Sequence, residues 1–269
     1  MVERIGCWVP SREILVKTSD GQELSVRVEG EGDAILFVHG WMTSGAVWDS
    51  MLLSLDGRGR KIIVPDQRGT GHSTRTGTDY SLAQHAKDLI AVLDAVGAKQ
   101  AILVGNSMGG QLSLYLAAHY PERVRAVMVM NPVPPAGLPL PPDAVGLFRT
   151  SAGDRGKQGT ILGLACTSLS DDEKNRMLDL AGDVAPASIE GAFDAWVAGG
   201  FEDKLGAVTA PVLVLATDDP FLPPEFLKAS VVSKIARGRL TILKGAGHYP
   251  QCEKPVETAA LVDAFLASA

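Results

Sequence analysis

The sequence predicts an α/β fold: a mostly parallel, eight-stranded sheet with helices on both faces and an inserted helical lid. Three observations predict it. Short apolar runs bounded by turn residues alternate with stretches of helical composition, the pattern that builds a parallel sheet with crossover helices. One such run, residues 101–104, leads through Gly105-Asn106-Ser107-Met108-Gly109 straight into a helix-forming stretch. From about residue 133 to 206 the alternation stops, and a proline-rich segment followed by helical composition replaces it.

The elements follow in order. Residues 13–18 and 24–28 read as two strands joined by Ser19-Asp20-Gly21, a hairpin turn that would form one antiparallel edge. Residues 34–38 are continuously apolar, the mark of a strand buried on both faces, and end in His39-Gly40-Trp41. An amphipathic stretch over 46–55 suggests a helix, and 61–64 is the next buried strand. It runs into Pro65-Asp66-Gln67-Arg68-Gly69-Thr70-Gly71-His72-Ser73. Apolar positions 82, 86, 89, 90, 93 and 96 recur at helical spacing, with Ser81 as a cap. After strand 101–104 and helix 108–119, residues 124–130 supply another buried strand.

Residues 132–142 hold too many prolines for a helix or a central strand. Strands at 211–216 and 240–243 and helices at about 224–235 and 255–267 complete the pattern. The expected division is a core of residues 1–132 and 207–269, with residues 133–206 as a helical cap between two core strands.

Composition narrows the functions. The 269-residue chain has 31 acidic and 25 basic residues and no basic cluster, which disfavours nucleic acid and anionic membranes as partners. No apolar run is long enough to span a membrane, and Met1 to Trp8 lacks the long apolar stretch of a signal peptide. Cys7, Cys166 and Cys252 are odd in number and scattered, which suggests free thiols in a reducing compartment, the cytoplasm. No histidine pair has metal-ligand spacing, and Gly69-Thr70-Gly71 lacks the third glycine of a dinucleotide fingerprint. No cofactor or metal is expected.

The strand–Gly-x-Ser-x-Gly–helix context is that of a nucleophile elbow, in which glycines leave room for a serine on a strained turn. A serine hydroxyl is a weak nucleophile and needs a base, and the base needs an orienting acid. Of five histidines, His248 follows the last strand, so its loop opens on the same carboxyl edge of the sheet as Ser107. The acid should follow the strand at 211–216. Asp219 is preferred and Asp218 is the alternative.

The order Ser107, Asp219, His248 is that of α/β-hydrolases and differs from the chymotrypsin and subtilisin orders. The matching stretches are His39-Gly40-Trp41, Asp66 to Ser73, Gly105 to Gly110, Asp218-Asp219-Pro220-Phe221-Leu222-Pro223 and Gly245-Ala246-Gly247-His248. On these the chain resembles the α/β-hydrolase fold superfamily, in its branch of cofactor-free carboxylesterases, enol-lactonases and haloperoxidase-like serine hydrolases. It departs at Ala216-Thr217-Asp218-Asp219, where family members commonly have Gly-x-x-Asp and one more residue before it.

The resemblance implies an ester or lactone hydrolase working through an acyl-enzyme. Ser107 would be the nucleophile, His248 the base and Asp219 the acid, with the backbone N–H groups of Trp41 and Met108 forming the oxyanion hole. Trp41 would also wall the acyl pocket, and Trp196 of the cap is the other residue expected to touch substrate. The side chains of His39, Asp66, Arg68 and His72 read as structural braces.

Phe148, Leu162, Leu164, Leu169, Phe193, Trp196 and Phe201 form either an apolar pocket under the cap or the cap's own core. The partner is a small-molecule ester or lactone, with the oligomeric state left open. The alternative within enzymes is hydrolysis of a carbon–carbon bond in meta-cleavage-type products. Trp41-Met42-Thr43-Ser44 lacks the serine- and glycine-rich loop such enzymes use. Outside enzymes, the alternative is a small-molecule receptor on the same fold.

Overall fold

The computed structural model describes residues 12–269, so Cys7 and the Met1 to Trp8 stretch lie outside the described residues. Eight strands form one sheet: β1 (Arg12–Lys17), β2 (Glu23–Glu29), β3 (Asp33–Val38), β4 (Arg60–Pro65), β5 (Ala101–Asn106), β6 (Val124–Met130), β7 (Val212–Thr217) and β8 (Gly238–Leu243). Their order across the sheet is β1-β2-β4-β3-β5-β6-β7-β8. β1 pairs antiparallel with β2, and β2 with β4; every other pairing is parallel. The predicted strands and hairpin edge are all present.

The strand order decides where ligands can enter. The chain steps from β3 outward to β4, then back past β3 to β5, and continues through β6 to β8. Parallel crossovers are right-handed, so a reversal of direction moves the connecting helix to the opposite face. Helix α1 (Asp49–Leu52) therefore lies on one face, and α2 (Leu82–Ala95) and α3 (Met108–His119) on the other. Returning from β8, α9 (Pro250–Glu253) and α10 (Pro255–Leu266) pack with α1. The switch of direction falls between β3 and β5, and a crevice opens outside their carboxyl ends. The loops there begin at His39 and Ser107.

β5 is buried along its whole length, as its apolar run predicts. Two helices differ from expectation. The stretch 46–55 begins as a 3-10 turn, Gly45–Trp48, before α1. The expected helix at 224–235 ends early, as α8 (Pro224–Ser230) followed by a 3-10 turn, Val232–Lys234. Val231-Val232 are adjacent β-branched residues, poor in a helix, and Val231 is fully buried.

Between β6 and β7 lie four helices, α4 (Pro142–Arg149), α5 (Arg155–Ala165), α6 (Asp171–Gly182) and α7 (Pro186–Ala198), and no strand. The proline segment before them is tied down by Gln111 of α3, whose Nε2 donates to the carbonyls of Pro134 and Trp196. Asp154 and Ser170 accept a backbone N–H as N-caps of α5 and α6, and Pro186 is the first residue of α7.

Candidate active site

Ser107 sits between β5 and α3 with φ 57° and ψ −122°, a left-handed conformation unusual for a residue with a side chain. Its surroundings hold it there. Its N–H donates to Met130 O at 3.0 Å, and its carbonyl accepts from Gln111 and Val133 N–H groups, each at 3.1 Å. The glycines around it are required by close approach. A Cβ on Gly109 would collide with the carbonyls of Val38 and His39, and one on Gly105 with the Gly109 backbone. Bare backbone thus lets the start of α3 press against the end of β3.

The loop after β3 closes on the serine from the other side. A Cβ on Gly40 would stand 3.1 Å from the Ser107 Cβ. This contact brings the backbone leading to Trp41 alongside the turn whose next N–H belongs to Met108. His39 braces the loop. Its Nε2 accepts the Gln67 N–H at 2.9 Å, so Nδ1 carries the hydrogen and donates to Gly40 O at 2.8 Å. Complete burial pushes this imidazole down to about 4, and it stays neutral. Asp66 accepts the Gly45 and His72 N–H groups, and buried Arg68 pairs with Asp88 and Asp20. The His72 ring lies at the surface beside Glu13.

His248 Nδ1 lies 2.6 Å from Asp219 Oδ2. The other carboxylate oxygen accepts the N–H groups of Phe221 at 2.8 Å and Leu222 at 3.3 Å. A carboxylate only accepts, so the hydrogen is on Nδ1 and Nε2 keeps its lone pair. Asp218 faces away, toward the Gly245 N–H and Lys244 Nζ. Of the two candidate aspartates, Asp219 is the one in contact with His248.

A polar network that sequence reasoning did not find holds the backbone of this histidine. Asn131, at φ 42°, donates from Nδ2 to Thr217 Oγ1, Gly247 O and His248 O. Asn106 donates to His248 O at 3.0 Å and accepts from Gln251 Nε2, while Thr217 Oγ1 donates to Gly247 O at 2.6 Å. All four side chains belong to fully buried residues. A sequence signal for it exists: the apolar runs of β5, β6 and β7 each end in a polar residue, Asn106, Asn131 and Thr217.

Ser107 and His248 line one cleft of about 530 Å3, part of it open to solvent. Its walls are Trp41, Phe221, Leu222 and Tyr249 from the sheet loops and Val133, Leu138, Leu140, Phe148, Ile161, Ala165 and Trp196 from the insertion. Trp41 stacks on Phe148 with centroids 5.4 Å apart, meets Trp196 edge-on at 6.2 Å, and donates its indole N–H to Ile189 O of α7. The seven apolar residues singled out in the insertion divide. Phe148 and Trp196 face the cleft; Leu162 and Phe193 are buried in the core, and Leu169 packs half-buried against it; Leu164 is half exposed; and Phe201 packs on Tyr115 and His119. No group of three or more His, Cys, Asp or Glu side chains fit to hold a metal ion occurs among the described residues. No helix among them is long and apolar enough to cross a membrane.

Residues 33–153 match the family model of the alpha/beta hydrolase fold. A 2-hydroxymuconate semialdehyde hydrolase of Pseudomonas putida is 30% identical, covering 96% of this chain and 94% of that one. A non-heme haloperoxidase of Rhodococcus erythropolis is 29% identical, covering 87% and 92%. In structure, an esterase from Exiguobacterium antarcticum superposes with a TM-score of 0.88 at 20% identity, covering 95% of this chain and all of that one.

Proposed function

Because this chain belongs to the α/β-hydrolase fold family, we propose that it is a serine hydrolase of carboxylic esters or lactones, with Ser107 as nucleophile, His248 as base and Asp219 as the acid. The observation that carries this reading is the 2.6 Å contact between His248 Nδ1 and Asp219, which leaves Nε2 basic in the cleft that Ser107 also lines. Ser107 Oγ attacks the carbonyl carbon and its proton passes to His248 Nε2. The oxyanion takes hydrogen bonds from the N–H groups of Trp41 and Met108, at the helix start. Collapse expels the alcohol, protonated by His248, and leaves an acyl-Ser107 ester. Water, deprotonated by His248, then releases the acid and restores the serine.

In this reading residues 133–206 are a cap on a core of residues 1–132 and 207–269. Trp41 and Trp196 contact the acyl group in an apolar cleft. Free Cys166 and Cys252 fit a reducing compartment such as the cytoplasm.

The likeness to the Pseudomonas putida enzyme favours a second reading, carbon–carbon bond hydrolysis. A muconate-derived substrate carries a carboxylate, and no Lys or Arg among the described residues lines this cleft. The apolar walls favour the ester. The test is hydrolysis of p-nitrophenyl esters from acetate to decanoate by wild type and S107A. Turnover with a chain-length optimum, lost in S107A by several orders of magnitude, supports the ester reading. Inactivity on every ester and simple lactone overturns it; vinylogous diketone cleavage would then support the second reading, and binding without turnover a receptor.

A further inference from the structure

Glu253, in the turn after His248, gathers an unusual set of donors. Its Oε2 accepts the backbone N–H groups of Thr167 at 2.8 Å, Ser168 at 2.8 Å and Gly247 at 2.9 Å, and Oε1 that of Tyr249 at 3.2 Å. The hydroxyl of Thr167 points to Oε2 as well. Two of the four N–H groups flank His248, and the other two follow α5 in the insertion. The His248 N–H between them donates to Ala165 O at 2.9 Å, and Ser168 Oγ donates to Gly245 O at 3.0 Å. The two backbones touch: a Cβ on Gly247 would stand 2.5 Å from Ala165 O and 2.9 Å from Thr167 N.

The segment Gly245-Ala246-Gly247-His248 needs such bonds, because glycines on the N-terminal side of the histidine give it little stiffness of its own. Hydrogen bonds to an ionised acceptor are about twice as strong as neutral ones. We propose that Glu253 is a positioning residue for His248. Its carboxylate locks the histidine loop to the end of α5, so that base and insertion keep one relative geometry. This rests on the reading of His248 as the base.

The test compares E253A and E253Q with wild type by p-nitrophenyl ester kinetics and by amide hydrogen exchange at residues 165–169 and 245–250. In E253A, kcat falls roughly ten- to a hundredfold with KM nearly unchanged, as for displacement of a reacting group by about 1 Å. Exchange at Thr167, Ser168, Gly247 and Tyr249 accelerates together. In E253Q the amide oxygen replaces Oε2 but its NH2 cannot accept from Tyr249. This variant recovers kcat to within severalfold of wild type, and Tyr249 alone exchanges faster.

Wild-type kcat in a folded E253A overturns the proposal, as does acceleration confined to one of the two loops. Should E253A fail to fold, unchanged kcat and unchanged Tyr249 exchange in E253Q overturn it. A wild type that hydrolyses no ester removes the reading of His248. The exchange data then decide the lock alone: joint acceleration supports it, and unaltered exchange overturns it.

Discussion

Asp219 Oδ2 stands 2.6 Å from His248 Nδ1, while Asp218, its neighbour in sequence, is bound to Lys244 and the Gly245 N–H on the surface side of the same loop. The two carboxylates therefore predict opposite outcomes. In D219N the amide can donate toward Nδ1 and stabilise the wrong tautomer, with the hydrogen on Nε2; kcat should fall by about 10⁴. D218N loses the charge of a surface ion pair with Lys244 and of one bond from a loop N–H, and should stay within severalfold of wild type. Steady-state kinetics of both variants on one ester checks this, and a D218N as damaged as D219N would refute it.

That choice was only partly legible in the sequence, which preferred Asp219 and left Asp218 open. β7 ends at Thr217, and one residue of difference at a strand end decides which aspartate turns inward. The strands β3 to β7 were legible because buried parallel strands are continuously apolar, the β1–β2 hairpin because of its Ser19-Asp20-Gly21 turn, and the Ser107 turn because its glycines have a steric cause. The insertion was legible only as helical. Whether Phe148 or Phe193 meets the cleft depends on which helix packs on which, and local periodicity carries no trace of that. The bonds of Asn131, and those of Glu253 to Thr167 and Ser168, join segments over 80 residues apart and are equally invisible locally.

Asn131 should matter twice. It spends its amide on Thr217, Gly247 and His248, and it occupies φ 42°, which asparagine tolerates better than most residues. N131A leaves buried groups unpaired and puts alanine in the left-handed region, for a loss of about 2–4 kcal/mol of stability. N131D sets a carboxylate oxygen, in place of Nδ2, against the Gly247 and His248 carbonyls. Its kcat should fall below that of N131A although the change in volume is smaller. Urea unfolding and kcat on the same preparations test both statements.

Two buried imidazoles predict acid sensitivity. Burial lowers His39 to about 4 and His85 to about 3, and both His85 nitrogens lack a hydrogen-bond partner among the described residues. In the unfolded chain each takes up a proton near pH 6.5. The unfolded state then binds more protons than the folded one, so stability falls as pH drops below about 6.5, by roughly 1.4 kcal/mol per pH unit per histidine. H85L removes one of the two and leaves His39 in its hydrogen bonds. Unfolding free energies between pH 5.0 and 6.5 should show about half the wild-type slope in H85L; an equal slope would exclude His85 as a source.

The cleft wall predicts selectivity. Phe148 lies flat on Trp41 and reaches the cleft from the insertion, so F148A opens space beside the acyl group without touching Ser107, Asp219 or His248. Each further methylene that finds apolar contact gains about 0.8 kcal/mol, near fourfold in kcat/KM. The chain-length optimum should therefore move to longer esters in F148A, with acetate turnover least affected. Phe201 is the control, a buried phenyl of the insertion that packs on Tyr115 and His119 instead of the cleft. F201A costs stability and should keep the wild-type chain-length profile. A shift shared by both variants would trace the selectivity to general loosening of the insertion, and a shift in F148A alone to the wall of the cleft.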